Sequence, residues 1–386
     1  MQKKLKVAIF VRRFITTGGA ERYTVEVTRR IALAHEVHVF AQEWTQENNE
    51  NIHFHKIPKY FTTPRFLNAL VYEFFIRRYV DASFDIIHSH ERITKFDVLT
   101  IHCPCFKTFL TQKKTNVEKW LAYLLIALSP RKLAYLWLEK KQFTPNKQRV
   151  LLAVSHHVKT NVQDNYALPD ECFRLAYPGV NIDFSHIHLA NRATARLELG
   201  IAENELVLLF VGTEFKRKGL DALLQAIALL RPAPIKLVVA GGGDSHSYTD
   251  IAKRLGIKDQ VIFLGLVSDI ERIYALADIF VLPTLADPFG MSFLEAMASG
   301  VATIMSSAAY NGCAELIRNG EALLLEHPQN PQEIADALTR LNNDDYRRDL
   351  AERGQKLARQ VTWANTVEQT LAAYQTVIQT KQMEHN

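Results

Sequence analysis

Apolar and polar positions alternate in a regular way along the chain. Short apolar runs stand at residues 6–10, 37–40, 52–57, 85–88, 98–102 and 150–155. Each reads as a buried strand, because a strand covered on both faces needs no polar alternation. Longer stretches with a helical period separate them, at about residues 20–33, 66–80 and 116–140. The pattern then breaks at Tyr177-Pro-Gly-Val-Asn181, and a polar stretch to about residue 205 reads as an interdomain passage. A second alternation follows. Its strands are predicted at 206–211, 236–240, 260–264, 279–282, 302–305 and 322–325, and its helices near 219–230, 247–255, 269–277, 291–299 and 311–318. Helices close the chain from about 331 to 380. Strand–helix alternation of this kind predicts an α/β fold with two doubly wound parallel sheets, divided near residue 178. Two such domains facing one another would enclose a cleft. Ligands in such sheets sit at the carboxyl ends of strands, so the loops after strands are where chemistry is sought.

Those loops are informative. The apolar run 277–283 leads into Asp287-Pro-Phe-Gly-Met-Ser-Phe-Leu-Glu295, where two carboxylates flank the start of a helix. Helix-start amides attract anions, and carboxylates accept bonds from hydroxyls. A ligand that uses both carries phosphate and several hydroxyls, as a nucleotide sugar does. The same two acids would suit a glycosidase, but their setting around a phosphate-type loop favours hydroxyl recognition. After strand 206–211, Gly212-Thr213 leads into Lys216, Arg217 and Lys218 just before a helix, a placement that favours a diphosphate over an ordinary solvated basic loop. Gly18-Gly19 follows the first strand, which suits either a tight turn or close approach of a phosphate. Gly241-Gly-Gly243 carries the same two readings. His102 ends the strand at 98–102, and His88 and His90 end the one before it; His102 is placed to meet a sugar hydroxyl, although a lone histidine is as often structural. The remaining histidines lack the spacings of familiar metal sites. Asp-x-Asp is absent, so Lys and Arg would neutralise the diphosphate and neither a metal nor another cofactor is expected. Gly-x-Gly-x-x-Gly is also absent, which argues against a dinucleotide.

Composition narrows the picture. The chain has 386 residues, enough for two cores. Four cysteines without a Cys-x-x-Cys pair predict no disulfide framework, and Cys103-Pro-Cys105 reads as coincidental. No secretion signal is expected, since the basic start runs directly into a strand. The apolar stretch 120–128 is well short of the roughly 20 residues a spanning helix needs. The net charge of +5 hides an asymmetry: residues 1–150 hold 25 Lys and Arg against 13 Asp and Glu, whereas the remainder holds 21 against 28. A basic first half suits a phosphorylated glycolipid, an anionic membrane or a nucleic acid. No RNA-binding or helix-turn-helix motif accompanies it, so no nucleic-acid partner is expected.

Taken together, Asp287-(x7)-Glu295 with Phe289 and Gly290, the pair Arg217 and Lys218, Gly18-Gly19 and His102 resemble a retaining glycosyltransferase of family 4 with the two-Rossmann GT-B fold. The likeness covers nearly the whole chain. It implies that the amides near Phe289, Gly290 and Met291 meet the sugar or phosphate, and that Glu295 meets the ribose. Arg217 and Lys218 would bind the diphosphate, while His102 and Asp287 would contact the donor sugar. Asp287 stands where the commoner residue is Glu, one methylene longer. Many members carry Arg at the position of Thr213, a charge that Arg217 would supply here. The likeness further implies an N-terminal acceptor domain, residues 1–178 with a helix at about 363–386 crossing back, and a nucleotide-sugar domain at 179–362. Gly212-Thr-Glu-Phe-Lys-Arg-Lys-Gly219 and Glu91-Arg-Ile-Thr-Lys-Phe-Asp97 are similar to bacterial lipopolysaccharide core glucosyltransferases. This subfamily likeness implies a UDP-sugar donor, UDP-glucose in particular, a glycan or glycolipid acceptor such as a heptose of the lipopolysaccharide inner core, and a cytoplasmic location peripheral to the inner membrane. Lys107, Lys113, Lys114, Lys119, Arg131, Lys132, Lys140 and Lys141, interleaved with aromatic and apolar residues, would lie at an anionic bilayer. The residues themselves leave three other functions open: a nucleotide-sugar epimerase on the same fold, a nucleic-acid-binding protein using the basic half, and a non-catalytic sugar-nucleotide sensor.

Overall fold

The computed structural model describes residues 4–45, 49–79, 83–111, 126, 128–181 and 189–385. The chain forms two compact units, Met1–Tyr177 with Trp363–Asn386, and Pro178–Thr362. The first carries β1 (Lys6–Phe10), β2 (Arg13–Phe14), β3 (Glu36–Ala41), β4 (Glu43–Trp44), β5 (Ile52–Lys56), β6 (Ile86–Ser89), β7 (Val98–Ile101), β8 (Val150–Ala153) and β9 (Phe173–Leu175). The second carries β10 (Leu206–Val211), β11 (Ile235–Ala240), β12 (Val261–Gly265), β13 (Ile279–Leu282), β14 (Ala302–Ser306) and β15 (Leu323–Leu325).

Seven strands of the first unit form one parallel sheet in the order β5-β3-β1-β6-β7-β8-β9. The six of the second unit form another, in the order β12-β11-β10-β13-β14-β15. The order explains where ligands go. Each sheet grows outward from its first strand on one side, then restarts on the other side, at β6 and at β13. Loops leaving β1 and β6, or β10 and β13, therefore part company and leave a crevice at the strands' carboxyl ends. The strands are apolar because both faces are covered: Val7, Ala8, Ile9 and Phe10, and likewise Val207, Leu208, Leu209 and Phe210, are wholly buried.

The last helix, Trp363–His385, belongs to the first unit. Trp363 packs edge-on against Tyr23 at 5.7 Å, and Tyr374 Oη lies 2.7 Å from His88 Nδ1. Thr366 Oγ1 donates to the carbonyl of Tyr177 at 2.6 Å, fixing the helix where the chain leaves the unit.

Three departures from the sequence expectations have physical causes. The supposed passage before residue 205 contains a helix, Leu189–Glu198. Its Arg192 and Arg196 both pair with Asp278, and Arg196 Nε donates to the carbonyl of Leu276 at 2.9 Å. The helix also packs on the helix Ile270–Leu276, but its Arg, Asn and Glu residues make the stretch read as polar. The helix expected at 311–318 is a single 3₁₀ segment, Gly312–Leu316. β9 has three residues, too few to show alternation. Of the helix expected at 116–140, Pro130–Gln142 is described; residues 116–125 and 127, with Lys113, Lys114 and Lys119, lie outside the described residues. Among the described residues no helix is long and apolar enough to cross a membrane.

Candidate active site

In the second unit the two crevice loops are tied together by backbone. Gly219 adopts a left-handed conformation, φ 81°, and caps the helix Leu220–Leu229. A Cβ there would stand 2.0 Å from the carbonyl oxygen of Pro283, so only glycine lets the β10 loop lie this close to the end of β13. The amide of Leu285 then donates to the carbonyl of Arg217 at 2.8 Å. These contacts fix where Arg217 and Lys218 stand relative to the loop carrying Asp287.

Lys218 forms an ion pair with Asp287, and both side chains are largely buried, at 13% and 8% exposure. The stem of Lys218 packs over Gly212, where a Cβ would lie 3.2 Å from its Cγ. Gly212 is held by its own amide, which donates to the carbonyl of Ala240 at 2.9 Å. Arg217 is gripped by Glu214 through two bonds of 2.9 Å, and its third donor reaches the carbonyl of Ala286. The hydrogen bonds and charge of Glu214 raise the pKa of Arg217, and the guanidinium in turn holds the Glu214 carboxyl below its ordinary range. Thr213 and Lys216 are exposed beside this pair.

The Asp287 loop is fastened to a partner segment. Its amide donates to the carbonyl of Tyr310 at 2.7 Å, its carbonyl accepts from Gly312 at 3.1 Å, and the carbonyl of Phe289 accepts from Cys313 at 2.9 Å. Phe289 is buried. Gly290, φ 81°, then caps the helix Met291–Ala298. The first amides of such a helix lack intrahelical acceptors and face an incoming anion. Glu295 lies one turn in, buried, and Oε2 accepts from the Tyr274 hydroxyl at 2.9 Å.

The first unit holds its own site around the ends of β1, β6 and β7. A cavity of about 700 Å³ is lined by Arg12, Arg13, Glu91, Arg92, His90 and His102, among others. Arg12 Nε donates to Glu91 at 2.8 Å, and the Glu91 charge raises the pKa of Arg12. Gly18, φ 99°, caps the helix Gly19–Ile31. His102 Nε2 lies 3.0 Å from His90 Nδ1, and the His102 ring meets Tyr23 edge-on at 5.0 Å. Burial pushes the pKa of His102 down to about 3, and that of His90 well below its ordinary value. Both rings are therefore neutral near pH 7, able to donate or accept a single bond. His90 Nε2 is buried with no hydrogen-bond partner among the described residues.

The structure thus joins Gly212, Arg217, Lys218 and Asp287 into one cluster, with Phe289, Gly290 and Met291 at the adjoining helix start and Glu295 on that helix. Gly18, Gly19 and His102 fall in the other unit. Sequence reasoning missed Glu214, Tyr274 and the ring partnership of His90. Glu214 had a local signal, three residues before Arg217 in a turn. Tyr274 had none, since its bond to Glu295 depends on the packing of two separate helices.

Comparison with known proteins gives consistent results. A family model described as Glycosyltransferase Family 4 matches residues 17–184, and one described as Glycosyl transferases group 1 matches residues 191–357. The lipopolysaccharide glucosyltransferase WaaG of Escherichia coli is 23% identical over 340 residues, 86% of this chain and 88% of WaaG. The uncharacterized glycosyltransferase MJ1607 of Methanocaldococcus jannaschii is 30% identical over 232 residues; the match takes in 58% of this chain and 59% of that protein. The crystal structure of WaaG superposes with a TM-score of 0.82 over 95% of this chain and 98% of WaaG, at 23% identity. Anabaena HepE in complex with UDP-glucose gives 0.73 over 96% of this chain and all of HepE, at 17% identity. These structural likenesses establish a GT-B fold with two Rossmann-like halves.

Proposed function

Because the chain belongs to the group 1 and family 4 glycosyltransferases, we propose that it transfers a hexose from a UDP-sugar to a cell-envelope glycan or glycolipid, with retention at the anomeric carbon. Glucose as the sugar and a lipopolysaccharide core as the acceptor are the reading that the likeness to WaaG supports. The complex of HepE with UDP-glucose supports the donor class. The observation that carries the proposal is the placement of Arg217 and Lys218 beside a glycine-capped helix start, with Asp287 and Glu295 at hand to accept hydroxyl bonds.

In this reading the donor diphosphate takes Arg217 and Lys218 together with the helix-start amides. Fixed donors of this kind stabilise the charge that grows on the leaving group, without a metal. Lys218 turns part of its bonding from Asp287 to phosphate, which frees Asp287 to accept from a sugar hydroxyl. Glu295, braced by Tyr274, accepts from the ribose. The bond from the anomeric carbon to the β-phosphate oxygen breaks, a bond to the acceptor oxygen forms on the same face, and the acceptor proton passes to the leaving phosphate. His102, kept neutral by burial, binds the donor sugar without adding charge. Arg12 and Arg13 at the first-unit cavity suit a phosphorylated acceptor. The helix Pro130–Gln142 exposes Leu133 and Trp137 beside Lys140 and Lys141, which supports a peripheral place on an anionic membrane at its cytoplasmic face.

The test is a panel of nucleotide sugars scored by thermal shift, followed by assay of UDP release with and without acceptor. A UDP-sugar is expected to stabilise the protein, and UDP release is expected to require acceptor. Glu295→Ala should weaken donor use by roughly 10–100-fold, the worth of charged hydrogen bonds. Epimerised donor formed without acceptor would replace this reading with the epimerase one. Unchanged kinetics in Glu295→Ala would end the assignment of that residue.

A further inference from the structure

Four side chains on one face of the first unit's sheet have no part in this chemistry. Glu36 and His38 stand two apart on β3, and His53 and His55 two apart on β5. Alternate residues of a strand share a face, and the parallel register pairs His38 with His53. All four therefore project from the same side. Ligand atoms of Glu36, His38 and His53 lie within 4.8 Å of one another. Glu36 Oε1 is 2.8 Å from His38 Nε2, while His38 Nδ1 is 2.7 Å from His55 Nε2. The rings of His38 and His53 are 4.9 Å apart.

From this geometry we propose that Glu36, His38 and His53 form a binding site for a divalent transition ion of the zinc class. Two imidazoles and a carboxylate are a donor set that zinc accepts, with water completing a tetrahedron. Donors around such an ion stand about 3.3 Å apart, as follows from zinc–nitrogen bonds of about 2.0 Å. The cluster must tighten by up to about 1.5 Å. Glu36 is partly exposed and His53 exposed, so both can move. His38 supplies the fixed point. Phe84 meets its ring edge-on at 5.3 Å, and His55 Nε2 stands 2.7 Å from Nδ1, placed to accept its proton when Nε2 holds the ion. That is the outer partner which orients a ligating imidazole.

The location assigns a role. Among the described residues β5 is an edge strand, paired only with β3. Glu36 and His53 lie toward the amino ends of their strands, whereas the Gly18 and His102 loops leave the carboxyl ends of β1 and β7. An ion there clamps the edge strand to the sheet and stays apart from the transfer chemistry, which needs no metal in the proposed mechanism. The site escaped sequence reading because its two Glu/His-x-His pairs are short, common patterns that only strand pairing unites.

The experiment is calorimetry of the full chain, stripped with chelator, against zinc chloride, with Co²⁺ absorption as a spectroscopic check. We expect one zinc per chain and a raised unfolding temperature. His53→Ala, an exposed position, should keep the circular-dichroism spectrum but abolish the one-to-one binding and the shift. His55→Ala should weaken zinc by about 10–100-fold, the usual loss of an outer partner. Absence of stoichiometric binding, or equal binding by wild type and His53→Ala, overturns the site. Donor binding and transfer do not enter these readouts, so failure here leaves the proposed activity standing.

Discussion

The two units share a topology but prepare their crevices in opposite ways. In the second, the cations proposed to bind the donor are already matched with acids: Lys218 with Asp287, Arg217 with Glu214. In the first, beside the pair of Arg12 and Glu91, the cavity is lined by histidines that burial keeps neutral. The contrast shows two solutions to the same difficulty. A buried charge is tolerable only when paired, and a buried titratable group without a counter-charge gives up its charge instead. The paired charges suit an anionic ligand that can exchange partners with an existing pair. The neutral histidines suit sugar hydroxyls, which need single, oriented hydrogen bonds.

Removing one member of the buried pair should have the largest effect. Lys218→Ala is expected to destabilise the second unit by about 3–5 kcal/mol, because Asp287 is left buried without a partner. The double variant Lys218→Met/Asp287→Leu should recover most of that stability while failing to bind nucleotide. Urea denaturation and UDP titration of both variants would separate the two effects. If the double variant still binds UDP as wild type does, the cation has no ligand role.

Acid should act mainly on the other unit. Burial pushes His88 and His102 down to about 3, against about 6.5 for an ordinary histidine. The unfolded chain therefore binds protons that the folded chain refuses between those limits, and stability falls as pH drops through that window. Each histidine contributes about 1.4 kcal/mol per pH unit there, or about 2 kcal/mol from pH 6.5 to 5. All four tryptophans, at 44, 120, 137 and 363, belong to the first unit. Tryptophan fluorescence thus reports that unit alone. A urea midpoint that does not move between pH 7 and pH 5 would contradict the neutral-histidine account.

A smaller change tests the brace behind Glu295. Tyr274→Phe removes a hydroxyl bonded to a carboxylate and should cost about 1.5–3 kcal/mol of stability, with a weaker hold on the ribose. Equal donor KM in wild type and variant would mean that Glu295 needs no positioning. The smallest expected effect on stability is at Arg217. Its pair with Glu214 is substantially exposed, so Arg217→Lys should change stability by less than about 1 kcal/mol. Donor binding should nevertheless suffer, since Lys lacks the planar fork that meets phosphate with two parallel bonds. Isothermal titration with UDP distinguishes this from a structural role.

Much of this was legible along the chain, because strands buried on both faces announce themselves as apolar runs and glycines mark the turns after them. The loops with Arg217, Lys218, Asp287 and Gly290 stood out for that reason. The helix at Leu189–Glu198 did not, since its Arg, Asn and Glu residues make the stretch read as polar, and Arg192 and Arg196 reach Asp278, some eighty residues away. The ring contact of His90 with His102 was hidden similarly: each ends its own strand, and only the pairing of β6 with β7 sets them side by side.

By itself, then, the sequence determined the alternation of elements, the position of each ligand-facing loop and the charge each loop carries, all of which depend on residues close together in the chain. The tertiary structure alone decided which acid neutralises which cation, which rings lose their charge, and which strands lie at an edge. Lys218 and Asp287 are 69 residues apart. Their attraction becomes strong only when packing brings them together and removes the water between them, and that depends on the order in which strands assemble.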